Sequence, residues 1–473
     1  MSTVIDALKQ LPGFSGEVLS SPDERQRTAE DFGHFVHEVP LAVIRPRSAE
    51  DIARVVRFAR QEGMKVVARG MGQSTYGQAQ VEGGLVIDMA QLHQLHALEP
   101  TSAWVDAGLL WRDLLRASLA HGRAPPVLTD YLLTTVGGTL AVGGIGTQSY
   151  RRGAQTDHVL ELEVVDGHGN LVTCSPERSR ELFNACRAGL GQFGIVTKAR
   201  LRLEPAPPSV RVYRTFYSEL GPFVEDLSLL TARKEFDGVQ GAVMPNELSA
   251  LKEMIGPDVT RIELPRTSGP WLFMIKATQH FGPESAPDDA WLLRGLRHAP
   301  RSQYAQERGY LSFFNRMEPW VQALKAAGLW DIPHPWMNAF LPSEQVLPFI
   351  EDTLAHVPPE WTRYGFIPVY PYAREPFQTP FLRVPDTSCF FLFGILGSLV
   401  SPTPESTRQG LEAVRRLYER CLSLGGVRYP VDSIPLREGD GPRHYGPLWP
   451  TVLEFRRKFD PGRIFAQKKK SMV

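Results

Sequence analysis

A carboxylate lies a few residues before a glycine-rich segment in the first third of the chain. The segment runs from Thr129 to Gly146 and contains the pair Gly137-Gly138 between two threonines, flanked by apolar residues. Such a backbone suits close approach to a flat cofactor, to whose phosphates and polar edge it offers N–H and hydroxyl donors. Asp130 could then accept a proton from an amine or alcohol while a hydride leaves the neighbouring carbon. The alternative is that Asp130 only caps a turn.

A second loop could bind a phosphate. The segment from Gly70 to Ser74 has the sequence GMGQS and directly follows a predicted strand. Glycine allows the backbone to approach a ligand closely, so that successive N–H groups converge on a phosphate. The same pattern also occurs in tight turns. It is not the Rossmann fingerprint, because no third glycine opens a helix.

Alternating strands and helices must position these loops. Residues 41–46 predict a strand, and Ser48 then predicts the N-cap of a helix whose apolar residues recur at helical spacing as far as Gly63. Strands at 64–70 and 85–89 follow. The pattern β-α-β-loop-β predicts a small α+β layer.

The same kind of structure extends to residue 205. A strand and an amphipathic helix occupy 103–122, and Asp166 to Gly169 supplies the turn of a hairpin between two apolar runs. A helix around 181–191 and a strand then lead to a proline cluster that begins at Pro205 and breaks regular structure. We therefore predict a first domain at 1–205, with its core at 38–205.

The remainder of the chain predicts two further parts. Residues 206–424 contain long strand-like and helix-like stretches and indicate a second α+β domain. Residues 425–473 contain a helix stopped at Asp460-Pro461-Gly462, and we expect them to return to the first domain. The lysine run at 468–470 is typical of a solvated tail.

The composition argues against several function classes. The 473 residues are 42% hydrophobic, and 52 Lys and Arg balance 52 Asp and Glu, so no net charge attracts nucleic acid or an anionic membrane. The sequence shows neither a secretory leader nor an apolar run of about 20 residues. Four scattered cysteines match neither a disulfide framework nor zinc spacing. We expect a cytoplasmic protein with free thiols and without a bound metal, nucleic acid or membrane.

Two long segments resemble a known family. They are LTDYLLTTVGGTLAVGGIGTQSYRRGAQTDHVLELEVVDGHGNLVTCS at 128–175 and ELFNACRAGLGQFGIVTKARLRLEP at 181–205. Together with the rest of 41–205 they are similar to the FAD-binding domain of the vanillyl-alcohol-oxidase (PCMH-type) flavoproteins, and above all to the cytokinin dehydrogenase branch. The segments PHPWMNAFLP and FRRKFDPGRIF extend the resemblance to the second half of the chain.

The resemblance implies an α+β fold, with a two-subdomain PCMH-type FAD-binding domain and an α+β substrate domain that contains an antiparallel sheet. Asp130 matches the catalytic aspartate, which takes the proton from the substrate amine near flavin N5. Trp336 and Asn338 fall in a segment that faces the substrate side. The implied contacts with FAD are Ala68, Gly70, Met71, Gly72, Gln73, Ser74, Gln78, Asp130, Thr135, Gly137, Gly138, Ala141, Ile145 and Ile195.

Three departures from the family pattern concern how the flavin is held. Gln73 replaces the histidine that is bonded to the flavin 8α carbon in relatives, and an amide nitrogen is no nucleophile for that bond. No cysteine lies in the glycine-rich loop to form a second bond. At the C-terminus, Ala466 to Lys469 replace a Ser-Pro-Gly-Gln flavin contact. The flavin is therefore expected to be non-covalent.

The expected function is an FAD-dependent oxidoreductase that removes a hydride from a C–N or C–O bond of a small organic substrate. The resemblance favours amine oxidation, with oxygen or a quinone-like carrier as the electron acceptor, and a tailoring step in natural-product assembly is an alternative. A carbohydrate or alcohol oxidase would use a tyrosine base, for which Tyr370 and Tyr372 are candidates unless they belong to the core. A third interpretation is a binding protein that has lost its flavin.

Overall fold

A computed structural model of the protein describes residues 2–247, 251, 262–267, 269–357 and 366–465. The altered C-terminal segment from Ala466 to Lys469 and the lysine run at 468–470 lie outside the described residues. The strands are β1 (Glu17–Leu19), β2 (Ala42–Arg45), β3 (Val66–Arg69), β4 (Leu85–Asp88), β5 (Leu95–Leu98), β6 (Ser102–Asp106), β7 (Arg123–Ala124), β8 (Val159–Val165), β9 (Leu171–Cys174), β10 (Ile195–Arg202), β11 (Glu204–Pro205), β12 (Ser209–Tyr217), β13 (Gly238–Pro245), β14 (Trp271–Phe281), β15 (Gln303–Gly309), β16 (Trp336–Pro342), β17 (Ile367–Ala373), β18 (Cys389–Leu396) and β19 (Val427–Arg428).

The helices connect these strands and cover the sheets. They are α1 (Ser2–Lys9), α2 (Pro22–Thr28), α3 (Ala49–Gln61), α4 (Trp111–Leu119), α5 (Val136–Leu140), α6 (Ser149–Arg152), α7 (Arg180–Cys186), α8 (Leu220–Arg233), α9 (Asp289–Leu292), α10 (Tyr310–Phe314), α11 (Met317–Ala326), α12 (Ser343–His356), α13 (Pro404–Ser423), α14 (Asp440–Tyr445) and α15 (Trp449–Phe459).

A four-stranded sheet in the order β1-β2-β4-β3 carries the first glycine loop. Strands β2, β3 and β4 are parallel, and α3 connects β2 to β3. The Ser48 hydroxyl begins α3 by accepting a hydrogen bond from the N–H of Asp51 at 3.2 Å. The predicted strands and helix of this layer are confirmed, and β3 ends directly before Gly70.

A five-stranded antiparallel sheet in the order β5-β6-β10-β8-β9 follows in the chain. The predicted hairpin is confirmed, because one Asp166 carboxylate oxygen accepts the N–H groups of His168 and Asn170, each at 2.9 Å. The helix expected around 181–191 ends at Cys186, because Ala188 adopts a positive φ of 55° that a helix cannot contain.

The large sheet of the second half of the chain has eight antiparallel strands in the order β15-β12-β14-β13-β17-β18-β16-β19. Arg214 in β12 lies opposite Tyr304 in β15 on one side and opposite Lys276 in β14 on the other. Lys276 in turn lies opposite Gln240 in β13. Because directly opposite residues share a face of the sheet, these side chains form a row on one face.

The C-terminal segment leaves the large sheet and reaches the first one. Strand β19 still pairs with β16. Helix α15 packs against α7. The N–H of Val66 in β3 then donates to the carbonyl of Ile464 at 2.8 Å, and Phe465 forms a bridge with Val66.

All four cysteines are free thiols, and three of them are buried. Among the residues that the structure describes, no group of three His, Cys, Asp or Glu side chains could hold a metal ion. Within the same ranges no helix combines the length and the apolar character that crossing a membrane requires.

Asp460 anchors the returning segment, and its replacement by alanine should destabilise the fold. Its two carboxylate oxygens accept the N–H of Ile464 at 2.9 Å and of Phe465 at 3.1 Å. Leaving buried N–H groups without an acceptor costs about 1–3 kcal/mol. We expect Asp460→Ala to lower the free energy of unfolding in urea by about that amount, and Asp460→Asn, which keeps one acceptor, to lower it less.

The same side chain should make stability depend on pH. Burial raises the pKa of Asp460 to about 6, from 3.8. The folded protein therefore holds this proton more tightly than the unfolded chain, and its contribution to stability declines as pH rises from 3.8 through about 6. As pH rises across that interval, the free energy of unfolding of the unsubstituted protein should fall relative to that of Asp460→Asn. A parallel dependence in both proteins would contradict the assignment.

Candidate functional site

A large cavity lies between the two glycine loops and one face of the large sheet. Its volume is about 1300 Å³, above the range of about 300–1000 Å³ that is common for small-molecule pockets. Its wall comprises residues 65–82, parts of 129–145 and 190–196, and side chains from β12 to β18 and from helix α11. The space is large enough for an extended ligand together with a second, smaller molecule.

The loop after β3 forms a set of unused N–H donors at one end of this cavity. Gly72 has a φ of 69°. None of the backbone N–H groups from Met71 to Thr75 donates a hydrogen bond to a described protein acceptor. Successive free amides in such a turn make an anion-binding concavity. The loop therefore fits a phosphate group.

A buried carboxylate that the sequence did not reveal holds this loop from behind. Asp31 accepts hydrogen bonds from the hydroxyl of Ser74 at 3.0 Å, from the N–H of Gly77 at 2.6 Å and from the N–H of Gly33 at 3.1 Å. Burial raises the pKa of Asp31 above its usual value, although these hydrogen bonds oppose the shift. The phosphate loop is thus fixed by a residue about 40 positions before it.

The glycine loops pack so closely against their neighbours that two positions have no room for a Cβ atom. A Cβ atom on Gly70 would overlap the Thr135 hydroxyl, and a Cβ on Gly137 would lie 2.9 Å from the Cβ of Ala107. Thr135 begins α5, and its hydroxyl accepts the N–H of Gly138 at 3.2 Å. Close packing of the loops leaves no room for larger side chains at these positions.

The structure brings the implied flavin contacts together on the cavity wall. The residues that line it are Ala68, Gly70, Met71, Gly72, Gln73, Ser74, Gln78, Asp130, Thr135, Gly137, Gly138, Ala141, Ile145 and Ile195. Gln78 also donates to the carbonyl of Asp432 at 3.1 Å, so it ties the first loop to the segment after β19.

Asp130 faces the cavity from the second loop, and the large sheet supplies its partners. Its Oδ2 accepts a hydrogen bond from Gln240 Nε2 at 3.0 Å. Its Oδ1 accepts from the guanidinium of Arg316, which lies between α10 and α11, and is 3.3 Å from the hydroxyl of Thr147. The Tyr370 hydroxyl is a further hydrogen-bond partner of this carboxylate.

The surroundings keep this carboxyl group ionised. Burial alone would raise the pKa of Asp130, but the positive charges of Arg316 and Lys276 and the hydrogen bond from Gln240 outweigh it and hold the pKa below its usual value. The group is therefore a carboxylate at neutral pH and can accept a proton.

The substrate-side candidates divide into two groups. Trp336, Asn338 and Tyr370 line the cavity, and the Asn338 amide donates to the carbonyl of Val431 at 2.6 Å. Tyr372 is fully buried instead in an aromatic cluster, with its ring centroid 5.4 Å from that of Phe390. Tyr370 is also buried and belongs to the hydrophobic core, so the core interpretation fits both tyrosines, although only Tyr370 of the two lines the cavity.

Comparisons with known proteins cover both halves of the chain. A model of an FAD binding domain matches residues 40–175, and one described as "Cytokinin dehydrogenase 1, FAD and cytokinin binding" matches residues 207–471. The chain belongs to the cytokinin dehydrogenase family. It is an FAD-dependent oxidoreductase of the cytokinin dehydrogenase type.

The similarity to individual members extends over nearly the whole length. An uncharacterized oxidoreductase, ORF5 in the fasciation locus of Rhodococcoides fascians, is 36% identical and aligns with 92% of this chain and 94% of its own. Cytokinin dehydrogenase 9 of Oryza sativa subsp. japonica is 34% identical over 93% of this chain and 87% of its own. Cytokinin dehydrogenase 1 of Arabidopsis thaliana is 32% identical over 98% and 84%, respectively.

The cavity fits the cofactor of this family. The unused N–H groups from Met71 to Thr75 match the pyrophosphate of FAD, and the cavity continues from this loop to Asp130 with room for the rest of the cofactor. The sequence missed Gln240, Lys276 and Arg316 at this site, because no local pattern marks them and only the pairing of distant strands brings them to Asp130.

Gly72 should be essential for binding FAD. A Cβ at this position would overlap the Arg69 guanidinium and would force a left-handed backbone on alanine. That backbone alone costs about 1–2 kcal/mol, and 1.4 kcal/mol is a tenfold change in affinity. We expect Gly72→Ala to raise the Kd for FAD at least about tenfold, as measured by quenching of flavin fluorescence.

Gly83→Ala is the matched control, because Gly83 has a similar φ of 64° and nothing within 4 Å of the added Cβ. It should cost a similar amount of folding stability but leave the affinity for FAD unchanged. Equal FAD affinity in the two variants would show that the loop does not hold the cofactor.

Proposed function

We propose that the protein oxidises a C–N bond of a small, cytokinin-like N-alkyl amine, with Asp130 as the proton acceptor and a non-covalent FAD. The observation that supports the proposal is the ionised Asp130 carboxylate on the wall of a cavity whose opposite end fits a pyrophosphate. When bound, FAD supplies the hydride acceptor at its N5. The names of the relatives support an amine substrate, since several are cytokinin dehydrogenases.

Asp130 can take the amine proton without losing its own position. Arg316 and Gln240 hold its two oxygens from the side of the large sheet, and Asp130 lies on the cavity wall. As the C–H bond adjacent to nitrogen gives up its hydride, the N–H proton passes to Oδ2 and a C=N bond forms. Electrons and protons balance, because the substrate loses one hydride and one proton.

Tyr370 is the base that a carbohydrate or alcohol oxidase would require at this site, and its surroundings disfavour that role. Burial, followed by the negative charge of Asp130, raises the pKa of Tyr370 well above its usual value. Its hydroxyl therefore stays protonated and acts as a donor. This observation favours amine oxidation through Asp130 over alcohol oxidation through Tyr370.

The remaining roles follow from position on the cavity wall. The loop that contains Gln73 and the loop that contains Gly137 would hold FAD, while Trp336 and Asn338 would face the substrate. Residues 1–205 would form a two-subdomain FAD-binding domain built on the four-stranded and five-stranded sheets. Residues 206–424 would form a substrate domain, and residues 425–473 would return to the first domain.

Replacing the proposed base should separate binding of FAD from turnover. Asp130→Asn removes the proton acceptor but keeps the size of the side chain, so we expect unchanged FAD content and a loss of at least about 100-fold in the rate of flavin reduction by amines. Reduction is followed by anaerobic bleaching, and turnover with oxygen and with a quinone.

Asp113→Asn serves as the control, because Asp113 forms an exposed ion pair with Arg112. It should leave flavin reduction unaffected. Unchanged turnover in Asp130→Asn would show that another group accepts the proton. A purified protein that is colourless and takes up no FAD would favour a non-catalytic relative.

Gln73 predicts how the flavin is attached. Because a glutamine amide does not form the bond that relatives make through histidine, acid precipitation of the yellow protein should release the flavin into the supernatant. The measurement is the absorbance of supernatant and pellet after centrifugation. A yellow pellet would overturn the non-covalent assignment.

A further inference from the structure

The end of the cavity that contains Asp130 carries an excess of positive charge. Four cationic side chains line it: Arg214, Lys276, Arg308 and Arg316. The other acidic residues on the described cavity wall, Glu38 and Glu82, belong to the phosphate-loop end, where Glu82 accepts the N–H of Val39 at 2.8 Å. The cations that act on Asp130 itself are Arg316, its ion-pair partner, and Lys276.

Two of these cations are neighbours of the proposed base in the sheet register. Lys276 lies opposite Gln240, which donates to Asp130, and Arg214 lies opposite Lys276. Adjacent strands are about 4.8 Å apart, so the backbones of Arg214 and Gln240 are roughly 10 Å apart. Tyr304 in β15 is the residue opposite Arg214. Arg308 is four residues after Tyr304 in the same strand, so it lies on the same face of the sheet. The cations thus extend away from Asp130 along one wall.

Lys276 lies half-buried on the cavity wall without a close carboxylate. Two other cations have such a partner, since Arg415 pairs with Asp440 and Arg428 with Asp432. No described carboxylate lies within 4.0 Å of the Lys276 ammonium group, and the opposite charge that acts on it is that of Asp130, which already pairs with Arg316. Burial, followed by the positive charge of Arg316, lowers the pKa of Lys276 well below its usual value, and Arg214 and Arg308 add to the effect. Charges withdrawn from water are ordinarily paired, so an anion beside Lys276 would supply a partner that Asp130 shares with Arg316.

The cofactor does not require these cations for its phosphates. The N–H groups from Met71 to Thr75 provide for the pyrophosphate at the other end of the cavity. A negative charge carried by the substrate would pair with Lys276 and Arg214 and would lie beside the bond that is oxidised.

We propose that the substrate carries an anionic group, which is a carboxylate or a phosphate. Lys276 and Arg214 bind this group while the C–N bond lies at Asp130. The inference rests on the amine oxidation proposed above. The neutral, unmodified amine would then be the poorer substrate. Arg308 would attract the anion into the cavity. Arg316 would continue to hold Asp130.

Two matched sets of probes test the proposal and distinguish the anions. The phosphate set is isopentenyladenine, its riboside and its riboside 5′-monophosphate. The carboxylate set is N-isopentenylglycine and its methyl ester. Hydrogen bonds to charged groups contribute about 1.5–3 kcal/mol, or roughly 10- to 100-fold. We expect kcat/KM for the anionic member to exceed that of the neutral member by this factor in one set, which identifies the anion.

Lys276→Met should abolish most of this preference by lowering kcat/KM for the anionic member more than for the neutral member. Lys276→Arg should restore it. The matched control is Lys234→Met, because Lys234 lies at the exposed end of α8 and pairs with Glu375. It should leave the preference unchanged. If Lys276→Met does not fold, Arg308→Gln, on the half-buried cavity wall, should reduce the preference in the same direction.

The outcomes separate this inference from the proposed function. Equal kcat/KM for neutral and anionic probes would overturn the inference and leave amine oxidation intact. If no amine reduces the flavin, the proposed function fails. The anion site can then still be tested by titration calorimetry, which compares the affinities for adenosine 5′-monophosphate and adenosine in the holoenzyme and in Lys276→Met. Loss of FAD from Lys276→Met, or an equal loss with both members of a set, would assign these cations to the cofactor or to Asp130 and overturn the inference.

Discussion

The ion pair between Asp130 and Arg316 joins the two parts of the molecule that make the site. Asp130 belongs to the glycine-rich loop beside the smaller sheets, whereas Arg316 and Gln240 come from the large sheet and the helices that follow it. Removing a charge from water is costly unless it is paired, so the carboxylate and its partners hold each other in place. The ion pair therefore fixes both the register of the two parts and the protonation state on which the proposed chemistry depends.

The remainder of the cavity follows from how closely the two loops approach each other. Gly70 packs against Thr135 without room for a Cβ, and Asp31 holds the phosphate loop so that its N–H groups remain unpaired. This arrangement offers a cofactor backbone N–H donors and a closely shaped wall, and the proposed non-covalent attachment would depend on them.

The charge of the cavity wall distinguishes this chain from a purely apolar pocket. Lys276 and Arg214 share a row with Gln240, and all three line the cavity. The positive charges of Arg316 and Lys276 favour the ionised form of Asp130, while no described carboxylate lies within 4.0 Å of the Lys276 ammonium group. In the proposed function, this arrangement would couple the proton acceptor to the charge of the substrate.

The sequence alone determined the features that depend on neighbours in the chain. Helix α3, the hairpin at Asp166 and the glycine loops follow from local spacing. The resemblance at 128–205 indicated the family, which the comparisons confirm, and it made Asp130 the candidate base. Only the tertiary structure brought Gln240 and Arg316, 110 and 186 positions away, to that carboxylate. It also separated Tyr370 from Tyr372. Strand pairing across such distances depends on which sheet faces are buried together, and local periodicity does not contain that information.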